Sequence, residues 1–347
     1  PTLNSQLSTL DQLLGWWNGV TTGDLDGDGR LDIIAGNWGL NSSYNRAPAG
    51  PWRLFYGDLN GDGQIQLLEA YHDVELQKLV PWRDLPTVAL GLPWVRAQFA
   101  SHKAYGQASV AEILGDHVSQ ARELQAGTLA SMVFFNRGDR FEAAPLPQEA
   151  QWSPALGVNV GDLDGDGRED VFLSQNFFCL RTEDSRLDSG RGLWLKGDGR
   201  GGLTSVPGQE SGVLVYGEQR GAALADYDED GRIDLVVTQN GAATKLYRNA
   251  GAKAGLRVRL IGPPANPTGV GATIRLVFGQ RMGPAREIHG GSGYWSQDSA
   301  VAVMGMPEPA SQIWIRWPGG KTTAVAIPPG AKEIAVDPDG HLDVRLR

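Results

Sequence analysis

Asp24-Leu-Asp26-Gly-Asp28-Gly29-Arg30-Leu-Asp32 is the stretch from which the fold is read, because the chain repeats it three times. The repeats are Asp58-Leu-Asn60-Gly-Asp62-Gly63-Gln64-Ile-Gln66-Leu-Leu-Glu69, Asp162-Leu-Asp164-Gly-Asp166-Gly167-Arg168-Glu-Asp170 and Asp226-Tyr-Asp228-Glu-Asp230-Gly231-Arg232-Ile-Asp234. Side-chain oxygens at the first, third and fifth positions, a glycine at the sixth, a backbone carbonyl at the seventh and a carboxylate at the ninth or twelfth make an oxygen cage suited to Ca²⁺. The expected ligands are therefore all the aspartates just numbered and Asn60, with Arg30, Gln64, Arg168 and Arg232 acting through their carbonyls. In the second loop Gln66 stands ninth, so the acid is expected from Glu69 at the twelfth position. Asp-Gly pairs alone would make turns, but a turn needs no further acids at fixed spacing, and clustered carboxylates repel one another unless a cation joins them.

Three loops run straight into short apolar segments that end in Asn: 32–37, 170–176 and 234–240. Runs of this length, β-branched and bounded by turn residues, predict strands. The repeating unit is a cation loop feeding a strand. Loop starts lie 34, 104 and 64 residues apart, the scale of a β-propeller blade once insertions are allowed. The segment preceding the second loop, Trp52-Arg-Leu-Phe-Tyr56, also reads as a strand, which excludes a helix-loop-helix setting for it.

A stretch of different character, about 71–127, predicts a helical insertion. Ser109-Val-Ala-Glu112 is a capping box, Gly115 a stop, and Pro86 and Pro93 suit first helical turns. From about Gly255 the loops cease and alternation takes over, as in Leu256, Val258 and Leu260 or Ile313, Ile315 and Trp317, predicting a small antiparallel β-sandwich-like domain. The expected fold is thus all-β: a calcium-loop propeller over 1–254, incomplete or with blades that lack loops, and a β domain over 255–347.

Composition fits this. The net charge is −9, and four bound Ca²⁺ would take it to −1, so no basic partner is needed and no basic stripe points to nucleic acid. Cys179 is the single cysteine, leaving cations rather than a disulfide to staple the chain. No apolar segment of membrane-spanning length is present. The chain starts at Pro1 without an initiating methionine or signal segment and reads as ordered from there, as a processed product or fragment would. Weak calcium sites fill at extracellular concentrations, so the expected location is secreted or cell-surface.

The loops with their following strands resemble FG-GAP/VCBS repeats, the calcium-loop blades of integrin-α-like propellers. Gly269-Val-Gly-Ala272, Arg286-Glu-Ile-His-Gly-Gly-Ser-Gly-Tyr-Trp-Ser-Gln297 and Trp317-Pro-Gly-Gly-Lys321 resemble the ASPIC/UnbV domain. In this order the two are similar to the cartilage acidic protein family and its bacterial relatives. The resemblance implies a secreted calcium-dependent protein with structural calcium, acting as a protein- or glycan-binding or adhesion module. The alternative is an extracellular enzyme acting on polysaccharide. It would need at least two titratable groups outside the loops in one pocket.

Other motifs carry less. Gly197-Asp-Gly-Arg-Gly-Gly202 has dinucleotide-loop spacing but no helix follows it. Arg137-Gly138-Asp139 reads as a hairpin turn. The five histidines are scattered, and Ser292 lacks the glycine frame of a nucleophile elbow. Trp16, Trp17, Trp38 and Trp52 are candidates for a glycan platform or for blade core.

Overall fold

The protein is described by a computed structural model over residues 13–46 and 50–346; the expected ordered start at Pro1 lies outside them. Strands dominate, in six open sheets. The described residues form two compact units, one containing 13–16, 42–46 and 50–129, the other 17–41 and 130–346.

Within the second unit, sheet I runs in the order Val20–Gly23, Asp32–Ala35, Met132–Asn136, Phe141–Pro145. Sheet III is the meander Ala155–Gly161, Asp170–Gln175, Leu193–Gly197, Leu203–Val206, and sheet IV is Glu218–Ala225, Asp234–Asn240, Ala242–Tyr247. In each, the acidic loop joins the first strand to the second, and the closing pair is the same: Gly23 opposite Asp32, Gly161 opposite Asp170, Ala225 opposite Asp234. The ninth loop residue is therefore also the first residue of a strand. Sheets I and III share a core that includes Ile34, Val133, Val158 and Leu173, while sheets III and IV share Phe172, Ala222, Leu235 and Val237.

The first unit carries sheet II, ordered Lys78–Pro81, Gln66–Asp73, Trp52–Gly57, Arg122–Ala126. Its acidic loop closes in the same register, with Gly57 opposite Gln66. Four short helices, Leu85–Gly91, Trp94–Gln98, His102–Gly106 and Val110–Leu114, fill the space between its outer strands in sequence. The helical part is narrower than the expected 71–127, because both ends of that stretch are strand. The capping box is present, with Ser109 Oγ accepting from Glu112 N and Glu112 accepting from Ser109 N. Leu85, Val88, Val95 and Ile113 pack with Phe55 and Leu68 of the sheet.

Residues after Gly255 form two further sheets around one core. Sheet V is Ala302–Met304, Leu256–Leu260, Glu333–Val336, Leu342–Arg345; sheet VI is Arg281–Met282, Thr273–Phe278, Gln312–Arg316, Thr322–Ala326, with Arg286–Glu287 also paired to Thr273–Phe278. Their inner faces meet through Val258, Ile274, Leu276, Ile313, Ile315 and Ile334, all almost fully buried, which is sandwich packing. One pairing departs from the antiparallel expectation: Leu256–Leu260 runs parallel to Glu333–Val336. A parallel pair requires a long crossover, and here sheet VI lies within it.

Candidate metal centres

The four acidic loops have one backbone. The sixth residue donates its N–H to the first aspartate in each: Gly29 to Asp24 (2.9 Å), Gly63 to Asp58 (3.1 Å), Gly167 to Asp162 (2.7 Å) and Gly231 to Asp226 (2.8 Å). The seventh donates to the fifth: Arg30 to Asp28, Gln64 to Asp62, Arg168 to Asp166 and Arg232 to Asp230, at 2.8–3.0 Å. Both turns demand left-handed residues at the fourth and sixth positions. Gly27, Gly61 and Gly165 supply the fourth with φ of 72–75°, but the last loop places Glu229 there at φ 61°, a conformation disfavoured for a residue with a Cβ.

At the ninth position a side chain folds back over the loop. In loops one, three and four, one oxygen of Asp32, Asp170 and Asp234 accepts from the second loop residue (Leu25, Leu163, Tyr227) at 3.0–3.1 Å. The other oxygen accepts from Asn136, Gly197 and Asn249 N–H at 2.7–2.9 Å. These bonds aim the carboxylates at the first and third aspartates. Asp24, Asp26 and Asp32 bring one oxygen each within 4.8 Å of one another, as do Asp162, Asp164 and Asp170, and Asp226, Asp228 and Asp230.

The second loop is different. Gln66 Oε1 accepts from Leu59 N (2.7 Å), while its Nε2 donates to Asn60 Oδ1 (3.1 Å) and Asp62 Oδ1 (3.2 Å). Glu69 does not reach the loop. It pairs with Arg83 and accepts from Tyr44 Oη at 2.6 Å. The expected twelfth-position ligand fails because Gln66 and Glu69 are three apart on one strand and face opposite sides. This loop offers only Asp58 and Asp62 as carboxylates.

Carboxylates are driven together here at a cost. Burial pushes Asp24 and Asp32 from their usual 3.8 up to about 6, Asp162 to about 7 and Asp170 to about 8; Asp234 is also raised by burial. Asp62 is lowered, chiefly by the hydrogen bond from Gln64 N, and Asp228 is lowered by Arg248. Asp24 is 1% exposed, yet its Oδ1 has no hydrogen-bond partner, and Asp58 Oδ1 is likewise buried without one. A buried, unsatisfied carboxylate oxygen surrounded by other carboxylates fits a hard divalent cation, and an all-oxygen donor set suits Ca²⁺ or Mg²⁺ over softer metals.

Sequence reading missed the basic groups around the loops. Arg137 pairs with Asp26, Lys196 with Asp164 and Arg248 with Asp228, one for each third-position aspartate. Arg137 is also 3.0 Å from Glu142, so the arginine of the Arg-Gly-Asp tripeptide is held by the loop and its own hairpin. A local signal did exist, the Asn-x-Gly of Asn136-Arg-Gly138 and Asn249-Ala-Gly251. Each asparagine caps its turn and donates to the eighth-position carbonyl, of Leu31 or Ile233, at 3.0–3.2 Å.

The candidate tryptophans pack within their own units. Trp16 and Trp52 both pack edge-on against Tyr44, while Trp17 meets Phe134 and Trp38 meets Phe177. Outside the loops, Glu287, His289 and Asp298 line one cavity together with Thr22, whose Oγ1 donates to Glu287 (2.9 Å) and lies 3.0 Å from His289 Nε2. Its volume of about 50 Å³ admits water-sized groups, far below the hundreds of Å³ typical of a ligand pocket.

Comparison with known proteins agrees with the C-terminal reading. The family model described as ASPIC and UnbV matches residues 262–341. The chain is similar to cartilage acidic protein 1 of Xenopus tropicalis, 23% identical over 335 residues that cover 94% of this chain and 38% of that protein. It thus spans well under half of the relative's length. Among the described residues no helix is long and apolar enough to cross a membrane.

Proposed function

We propose that this chain is a secreted or cell-surface binding module in which Ca²⁺ is structural. In this reading the loop-bearing sheets are blades of an integrin-α-like propeller, and the cations fix the turns that join first strands to second strands. The observation that carries it is the buried, unpartnered Asp24 Oδ1 inside a carboxylate trio whose backbone path recurs in every loop.

The ligand surface is assigned to the 292–296 hairpin. Its base is fixed: Ser292 N donates to Ser296 O (2.9 Å), and Asp298, raised in pKa by burial, accepts from Leu224 N (2.7 Å) and Asn159 Nδ2 (2.9 Å). At its tip Trp295 is 94% exposed at φ 49° and stacks on Tyr294 with ring centroids 6.1 Å apart. A fully exposed tryptophan on a rigid, strained turn has no packing role to explain it and is the residue type that anchors protein and glycan ligands. Its ligand is a protein or glycan.

A protein and glycan array, probed with calcium-loaded protein, metal-stripped protein and Trp295→Ala, tests this. Binding by the loaded protein alone, lost in Trp295→Ala, is the expected result. Binding that survives confirmed metal removal, or an array empty throughout, contradicts it. Release of reducing ends from polysaccharide by the loaded protein would favour the enzyme reading.

A further inference from the structure

The first-position aspartates of loops one, three and four meet three different neighbours, all from residues after Gly255. Asp24 Oδ2 accepts from Ala285 N at 2.8 Å, a neutral donor that leaves Oδ1 free of any partner. Asp162 faces Gly305 so closely that a Cβ there would stand 1.7 Å from its Oδ2, so only a bare glycine backbone fits. Asp226 meets a charge. Arg257 Nη1 lies 2.6 Å from Asp226 Oδ2 and 3.3 Å from the Asp226 carbonyl oxygen, with its Nε 3.0 Å from Glu333. The Arg257 side chain is 7% exposed, so water does little to screen it.

Each loop also has basic partners of its own. Each of the three has four aspartates at its first, third, fifth and ninth positions. In loop one these are paired with Arg30 and Arg137, and in loop three with Lys196 and Arg168. Loop four has three arginines, Arg232, Arg248 and Arg257. The sum of charges does not rank the loops, because Arg275 also acts on Asp24 and Arg286 on Asp162, while Glu229 and Glu333 share Arg257; what differs is contact, since among these three arginines Arg257 alone bonds its first-position carboxylate. A divalent ion entering loop four would also sit beside a buried guanidinium that already holds the first-position carboxylate.

We infer that Arg257 stands in for the cation at the fourth loop, so that the C-terminal domain sets which loops take an ion. Loops one and three bind tightly and loop four weakly. The inference rests on the cation-site reading above and deepens it by making the sites unequal and naming the residue responsible.

Calorimetric titration of Ca²⁺ into metal-stripped wild type, Arg257→Gln and Arg257→Gln/Asp226→Asn tests it. Arg257→Gln should tighten one weak site at least tenfold, and adding Asp226→Asn should abolish that gain. If Arg257→Gln loses its near-ultraviolet circular dichroism, Arg257→Gln/Glu333→Gln, which removes both members of the buried pair, carries the same titration. An isotherm unchanged from wild type, or weakened, overturns the inference while leaving the cation sites standing. Absence of calcium heat in every protein overturns both.

Discussion

Stripping the cation should invert the pH dependence of stability. Asp24 and Asp162 are held by burial at pKa values of about 6 and about 7, against 3.8 in the unfolded chain. Between those limits the folded protein binds more protons than the unfolded one, so its stability falls as pH rises through the window and levels off above it. At about 1.4 kcal/mol per pH unit, and counting one proton per loop because the first relieves the repulsion on its neighbours, loop one loses about 3 kcal/mol and loop three about 4 kcal/mol between pH 4 and pH 8. Calcium competes with those protons, so the loaded protein escapes the loss. Melting temperatures of calcium-loaded protein and of protein stripped and exchanged into metal-free buffer, followed from acid to mildly alkaline pH, should converge at about pH 4 and separate steadily above it. Groups with lowered pKa, such as Glu112 and Glu287, act in the opposite sense but only below their ordinary 4.5, at the acid edge of this window. Parallel profiles, or a stripped protein that gains stability from pH 5.5 to 8, would refute the argument.

Four substitutions probe other parts of the fold. Gln66→Ala should cost about 1–3 kcal/mol in chemical denaturation, because the Leu59 N–H it satisfies is buried, while Glu69→Gln should leave calcium uptake at the second loop unchanged; a loss of uptake in Glu69→Gln would restore it as a ligand. Glu229→Gly should stabilise by about 0.5–1 kcal/mol by relieving the left-handed backbone at φ 61°, and destabilisation would show that the exposed 3.6 Å pairing of Glu229 with Arg257 outweighs that strain. Arg286→Ala should destabilise by about 3–5 kcal/mol, since it abandons Glu169, 2% exposed, without its counter-charge; a loss under about 1 kcal/mol would mean that water replaces the pair.

The legible parts of this molecule are those in which local chemistry dictates local geometry. Alternating acids and glycines specified the loops, and the β-branched runs after Asp32, Asp170 and Asp234 specified the strands they open. Ser109 and Glu112 announced their helix because a capping box satisfies its own backbone. Glu69 misled because its spacing is that of loops that continue into a helix, whereas here a strand begins at Gln66 and its alternation puts the residue three places on at the opposite face. The parallel pairing of Leu256–Leu260 with Glu333–Val336 joins residues some 76 apart, and no local pattern encodes it. Lys196 and Arg257 come to the loops from strands, and Arg137 and Arg248 from the residue just after one, each well beyond the loop it meets. Their charge was visible in the sequence; their destination was set by the sheets.

Calcium content per chain, measured by elemental mass spectrometry after dialysis against millimolar Ca²⁺ and removal of free ion, is the direct test of the central claim that these loops are cation cages. The account predicts that wild type retains at least the ions of loops one and three, and that Asp24→Asn and Asp162→Asn each lower the content by one ion. A wild-type protein that retains no calcium, or a content that neither substitution changes, would contradict it.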